Sequence, residues 1–195
     1  MAVAGVLLAA GEGSRLGRPK ALVELGGTLL AERGIDLLSR GGCAPVHVVI
    51  GAAADDVAAR LSGVTLVRNP DWHTGMASSL RAGLASLTDA DAAVIALVDQ
   101  PLVTPDVVRR LLAAYRDGAT AAVAAYDGRP RNPVLLRREL WTEVADAAHD
   151  DVAARAYLRE HPEVVTEVEC GDIAESADID TPSDLAALER RLSAR

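Results

Sequence analysis

Val3-Ala4-Gly5-Val6-Leu7-Leu8-Ala9-Ala10-Gly11-Glu12-Gly13-Ser14-Arg15-Leu16-Gly17-Arg18-Pro19-Lys20 is the stretch on which the fold turns. An apolar run of strand length stops at Gly11, and residues 11–20 are glycine-rich, short in side chains and closed by Arg15, Arg18 and Lys20. Such a segment presents backbone N–H groups to a polyphosphate. It is not the dinucleotide fingerprint, because Leu16 stands where the third glycine would be needed, and it lacks the Lys-Ser/Thr ending of a P-loop. The same residues would also make a plain glycine-rich turn with solvated cations. Their position at the end of a first strand, where open α/β sheets bind ligands, argues for a phosphate cradle.

Working outward, the 195 residues are 50% hydrophobic and 25% charged, which describes one ordinary domain with a proper core. Phe is absent and aromatics make up 3%, so that core must come from Val, Leu, Ile and Ala, which suits a parallel sheet covered on both faces. A net charge of -8 disfavours nucleic acid as a partner and makes the cations of the first loop a local anion site. Cys43 and Cys170 lack metal-type spacing and imply no disulfide framework. No signal peptide precedes Val3 and the apolar runs are too short to span a bilayer, so no membrane is expected as a partner and the expected location is cytoplasmic.

The remaining pattern alternates. Thr28 is expected to cap a helix to about Arg40, with strands at Val46–Ile50 and Val64–Val67 and a short helix from Asp55 between them. A helix carrying Leu80, Leu84 and Leu87 comes next, then a strand from Ala92 to Val98 and a helix from Pro105 to Arg116 capped by Thr104. Strands at Ala119–Tyr126, Val134–Leu136 and Val164–Val168, and a final helix capped by Thr181, complete the chain. The expected architecture is a three-layer α/β/α sandwich, a Rossmann-like, mostly parallel sheet of about seven strands with helices on both faces.

Asp99 leaves its strand in Asp99-Gln100-Pro101, and Thr104 already serves the next helix as a cap. A carboxylate at that sheet edge finds few structural partners, so a bound Mg²⁺ is a natural reason for it. The hydroxyls of Ser78 and Ser79 fall at a helix start whose free N–H groups can take a base or an anion, or they are simple caps; Trp72 reads as packing and His73 as a surface histidine. Arg129 and Arg131, in a loop from Asp127 to Pro133, can hold a phosphate or merely be solvated charge.

Leu8-Ala9-Ala10-Gly11, Ser14-Arg15-Leu16-Gly17 and Pro19-Lys20 together resemble the signature of nucleotidyltransferases, most closely that of molybdenum cofactor cytidylyltransferases. The resemblance implies that Leu8, Ala9, Ala10, Gly11, Gly13, Ser14, Arg15 and Lys20 hold the triphosphate of an NTP, with Arg15 and Lys20 neutralising it. Asn69-Pro70, Trp72, Gly75-Met76 and Ser79 are similar to the family's nucleotide-side motif, which adds Gly75, Ser78 and Ser79. Asp99 matches its metal ligand, and Asp178-Ile179-Asp180-Thr181-Pro182 brings Asp180 as a second ligand with Asp178 in reserve; by spacing alone these are an acidic helix start. The catalytic set so implied is Arg15, Lys20 and Asp99.

The resemblance further implies one nucleotidyltransferase domain over 1–195, with NTP bound by 1–100 and acceptor by 101–195. Mg²⁺ would be the cofactor, CTP would be favoured over GTP because of Ala9-Ala10-Gly11, and a phosphorylated acceptor such as molybdopterin would receive the nucleotide before hand-over to a molybdoenzyme. Asn132 and Arg131 depart from the family's Gly-Arg-x-Gly-His-Pro, and Asp150 and Ala153 from its Gly-Asp-x-Gly-Ala-Arg, where the loss of both glycines suggests a helix from about Val152. Those departures keep open a sugar or polyol phosphate as acceptor. A binding module that delivers a nucleotide or cofactor without turnover is the remaining alternative.

Overall fold

The computed structural model describes residues 2–193. Strand β1 (Val3–Leu8) lies inside the sheet, and its side chains are buried on both faces. Two-residue strands β2 (Glu24–Leu25) and β3 (Thr28–Leu29) form a small antiparallel hairpin, and α1 (Leu30–Gly41) comes directly after it. Thr28 is therefore in a strand and does not cap α1; the Leu29 N–H instead donates to the Glu32 carboxylate at 3.0 Å. Then come β4 (Val46–Ile50), α2 (Ala54–Arg60), β5 (Thr65–Arg68), α3 (Met76–Ala85), β6 (Ala92–Leu97) and α4 (Pro105–Arg116). Strands β7 (Ala121–Tyr126) and β8 (Arg129–Arg137), helices α5 (Trp141–Ala147) and α6 (Arg155–Glu160), β9 (Val165–Glu169) and α7 (Pro182–Ser193) complete the order.

The main sheet has seven strands in the order β5-β4-β1-β6-β8-β7-β9. β8 runs antiparallel to both neighbours, and every other pairing is parallel. One face of the sheet packs against α1 and α4 through Leu7, Leu30, Leu38, Val94 and Leu111. The other packs against α3, α5 and α6 through Val6, Leu80, Ile95, Val144 and Leu158. Helices approach the strands closely where they carry glycine: a Cβ on Gly34 would lie 2.6 Å from Leu7, and one on Gly83 2.6 Å from Val6. Among the described residues no helix is long and apolar enough to cross a membrane.

Three local expectations are corrected. Residues 127–133 are not a basic loop: only Asp127 and Gly128, both at positive φ, form the turn, and Arg129 and Arg131 lie in β8. The paired φ values are those of a two-residue hairpin turn, and the Glu169 carboxylate clamps it by accepting the Asp127 and Gly128 N–H groups. Thr104 precedes α4 without a side-chain capping bond. The segment before α6 is not helical from Val152; Asp150 and Ala153 stand at φ 45° and 46°, so the positions that lack the family's glycines still adopt the backbone those glycines favour.

Candidate functional site

A cleft of about 480 Å³ opens beyond the carboxyl ends of β1 and β6, where a parallel sheet gathers its loops. Leu8, Ala10, Gly11, Glu12, Ser14, Lys20 and Asp99 line one side of it, and Trp72 to Met76, Ser79, Asp150 and Asp151 the other. The first loop owes its shape to backbone: a short turn, Ser14–Leu16, is held between Gly13 at φ 61° and Gly17 at φ 70°. A Cβ on Gly13 would fall 2.2 Å from the Arg18 carbonyl oxygen, so this position admits only glycine. Ala9, Gly13, Arg15, Ser78 and Asp180 are outside the lining.

The loop returns Lys20 to the end of β6. Its Nζ donates to Asp99 Oδ2 at 2.6 Å and to Asp180 Oδ1 at 2.6 Å, and the mostly exposed Arg15 reaches Asp180 Oδ2 at 3.3 Å. The sequence shows no structural partner for Asp99; the fold supplies one in Lys20. The Ile179 N–H donates to the Asp99 carbonyl at 2.9 Å, which lays 178–180 alongside the strand end. Asp178 is taken by Gln100 Nε2 at 2.8 Å, leaving Asp180 for Lys20. Asp184 fixes the Asp180 backbone: its Oδ2 accepts from the N–H groups of Asp180 and Thr181, while Thr181 Oγ1 accepts from the Asp184 N–H.

These groups hold net negative charge in partial burial. Burial works against the Lys20 ammonium, but the neighbouring carboxylates outweigh it and its pKa is raised. Lys20 holds the Asp180 carboxyl below the usual range, while burial pushes the Asp99 carboxyl up despite Lys20. Asp99 Oδ1 is buried without a hydrogen-bond partner, an expensive state for a carboxylate oxygen. Among the described residues no group of three or more His, Cys, Asp or Glu is gathered as a ready-made metal site. Asp99 and Asp180 can therefore hold a hard divalent ion only when water or a bound ligand supplies the remaining oxygens, which is how Mg²⁺ sites with one or two carboxylates are completed.

The opposite wall rearranges what the sequence suggested. Helix α3 begins at Met76, and its first amides are not free. The Met76 N–H donates to Asp151 Oδ1 at 3.2 Å, Ala77 N–H to the Asp150 carbonyl at 2.9 Å and Ser78 N–H to the Gly75 carbonyl at 3.3 Å. Ser78 is structural in its bonding: its Oγ donates to the carbonyls of Asp71 and Gly75, each at 2.9 Å, and accepts from Asn69 Nδ2 at 2.8 Å. Ser79 also accepts from Asn69, at 3.0 Å, but reaches the cleft, as do His73 and Gly75. Gly75 sits at φ 111°, and a Cβ there would meet the Asp150 carbonyl oxygen at 2.6 Å. Trp72 packs over Gly51 and also faces the cleft. Sequence reasoning passes over Glu12 and reads Asp150 and Asp151 only as part of an altered acceptor-side motif, not as a wall of this cleft; the docking of Asp151 on α3 joins residues 75 apart, and no local pattern announces it.

Residues 5–164 match the family described as MobA-like NTP transferase domain. Nicotine blue oxidoreductase of Paenarthrobacter nicotinovorans is 40% identical over 188 residues, 92% of each chain. Molybdenum cofactor guanylyltransferase of Rhizobium johnstonii is 32% identical over 206 residues, 98% of this chain and 94% of that protein. Among solved structures, Rv0371c of Mycobacterium tuberculosis H37Rv aligns with a TM-score of 0.85 at 28% identity, over 97% of this chain and 98% of that one. Its manganese complex aligns at 0.81 with 26% identity, over 97% and 99%.

Proposed function

The chain belongs to the MobA-like NTP transferase domain family and is a nucleotidyltransferase; on that premise we propose that it transfers CMP from CTP to a phosphorylated acceptor of the molybdopterin kind, releasing pyrophosphate. The observation that carries this reading is Lys20 bridging Asp99 and Asp180 beside the Gly11–Gly17 loop, with one buried Asp99 oxygen still lacking a partner. Mg²⁺ is the cofactor of this proposal, held by Asp99 and Asp180, and when bound it would neutralise phosphate oxygens and favour in-line displacement. The N–H groups of the first loop hold the triphosphate, and Lys20 and Arg15 offset its charge. An oxygen of the acceptor phosphate then bonds to the α-phosphorus as the bond to pyrophosphate breaks, a reaction served by positioning and charge neutralisation. Hand-over of the product to a molybdoenzyme is the step that such an acceptor implies.

The preference for CTP rests on Ala10, whose methyl takes up cleft space that a glycine would leave to a larger base. Two relatives set competing readings. A guanylyltransferase at 32% identity supports GTP as donor, and a protein named an oxidoreductase at 40% supports hydride transfer, for which the loop would hold the pyrophosphate of a nicotinamide dinucleotide. The absence of a third glycine at Leu16 weighs against the latter. Incubation with each NTP, Mg²⁺ and molybdopterin or polyol phosphates, monitored by pyrophosphate release, should give turnover with CTP. Ala10→Gly should move the CTP-to-GTP ratio of kcat/KM toward GTP by about tenfold, close to 1.4 kcal/mol. Oxidation of NADH or NADPH without pyrophosphate from any NTP would replace the transferase reading, and stoichiometric nucleotide binding without turnover would leave the delivery module.

A further inference from the structure

A second concavity, of about 530 Å³, lies between α6 and the sheet where β7, β8 and β9 meet. Its floor is apolar, from Val123, Val134, Leu158 and Val165, and its rim carries Arg131, Arg155 and Arg159 against one carboxylate, Glu167. None of the three guanidiniums has a hydrogen-bond or ion-pair partner among the described residues. Of the other arginines in the second half, Arg110 is committed to Asp172, Arg137 to the Ala119 carbonyl and Arg138 to those of Thr88 and Ala90, while Arg116, Arg129 and Arg190 are also without a side-chain partner among the described residues but line no part of this trough. In a chain of net charge -8, three unpaired guanidiniums gathered over an apolar floor make a local site for an anion. The size and the mixture of apolar wall with a few charged groups are those of a small-molecule site.

The trough also connects with the catalytic cleft. A narrow apolar crevice shares Leu8, Met76 and Leu97 with the cleft, and Val134 and Arg155 with the trough. We infer that the trough seats the far end of the acceptor: an apolar, ring-sized body bearing an anionic group, distinct from the phosphate that reacts and bound by Arg131, Arg155 and Arg159. This rests on the transferase reading for its assignment to an acceptor, although the binding site itself does not. A small phosphate without an apolar body would leave the floor uncovered, so the inference favours a ring-bearing acceptor over a simple polyol phosphate.

The test uses 8-anilinonaphthalene-1-sulfonate, an aromatic body with one sulfonate, titrated by fluorescence into the full chain. Saturable binding at one site is expected, unaffected by CTP. The double variant Arg155→Ala/Arg159→Ala should weaken it at least tenfold and Arg131→Ala by less, with CTP affinity and melting temperature unchanged because these side chains are exposed. In turnover assays the double variant should raise KM for the acceptor and leave KM for the NTP alone. Dye binding indifferent to all three arginines, or abolished by CTP in the parent chain, overturns the inference. A shift from dimer to monomer in sedimentation of the double variant also overturns it, by making this face a contact between copies. Arginine-dependent dye binding without pyrophosphate from any NTP removes the acceptor assignment alone.

Discussion

On one side of the cleft Lys20 is clamped between two carboxylates at 2.6 Å each; across the crevice Arg131, Arg155 and Arg159 stand exposed with nothing to pair with among the described residues. The difference is one of readiness. The nucleotide side is assembled from elements far apart in sequence, the first loop, the end of β6 and the approach to α7, and holds its shape by its own ion pairs. The acceptor side has its apolar floor in place and leaves its charges for a ligand. A preassembled charge cluster suits chemistry in which nothing need reorganise as charge moves, whereas unpaired cations suit recognition.

The largest effect should come from breaking the assembled side. Asp99→Asn keeps the size of the side chain and an acceptor for Lys20 but removes the charge and puts an amide nitrogen in place of one carboxylate oxygen. A loss in kcat of about 10³-fold is expected, with stability changed by less than about 1 kcal/mol. Pyrophosphate release and thermal melting measure the two. Turnover within tenfold of the parent chain would mean that Asp99 serves only to orient Lys20.

A smaller effect sharpens what Lys20 does between the carboxylates. Its ammonium stands among the oxygens that a divalent ion would use, so ion and lysine compete until the phosphates of a nucleotide draw the lysine away. Lys20→Met should bind Mn²⁺ without nucleotide about tenfold more tightly, and CTP at least tenfold more weakly, than the parent chain. Isothermal titration with Mn²⁺ alone reads the first change and needs no turnover. Equal or weaker Mn²⁺ binding would separate Lys20 from the metal question altogether.

How much of this is legible in the sequence differs between the same two sides. The first loop can be read because glycine, small residues and cations coincide behind an apolar run, and Asp99 because a carboxylate directly succeeds an apolar strand. The pairing of Lys20 with Asp99 cannot, since it joins residues 79 apart. The β2–β3 hairpin escapes despite its Gly26-Gly27 turn, since strands of two residues carry no alternation. Pattern alone begins β8 only after Pro133, because proline argues against a central strand. The strand nevertheless extends back to Arg129, and Pro130 is tolerated because Arg129 and Pro130 pair with β7 alone, beyond the reach of β6. Ser78 and Ser79 look alike in sequence, and only the helix start at Met76 turns one onto the loop of residues 69–75 and the other to the cleft.

The smallest effect lies in the turn that closes the second wall. Asp150 holds φ 45°, and its carbonyl accepts from Ala77 at the head of α3 while Asp151 accepts from Met76. Aspartate tolerates the left-handed region better than most residues, and glycine better still; a β-branched side chain does so at real cost. Asp150→Gly should leave stability within about 0.5 kcal/mol of the parent chain or raise it, whereas Asp150→Val should lower it by about 1–2 kcal/mol. Because the turn covers the start of α3, the valine variant should also loosen the wall that carries Gly75 and Ser79 and so raise KM for CTP, while Lys20 and Asp99 stay in place. Equal stability for the two variants in chemical denaturation would show that the turn adapts freely, and the cleft would then owe its second wall to Gly75 and α3 alone.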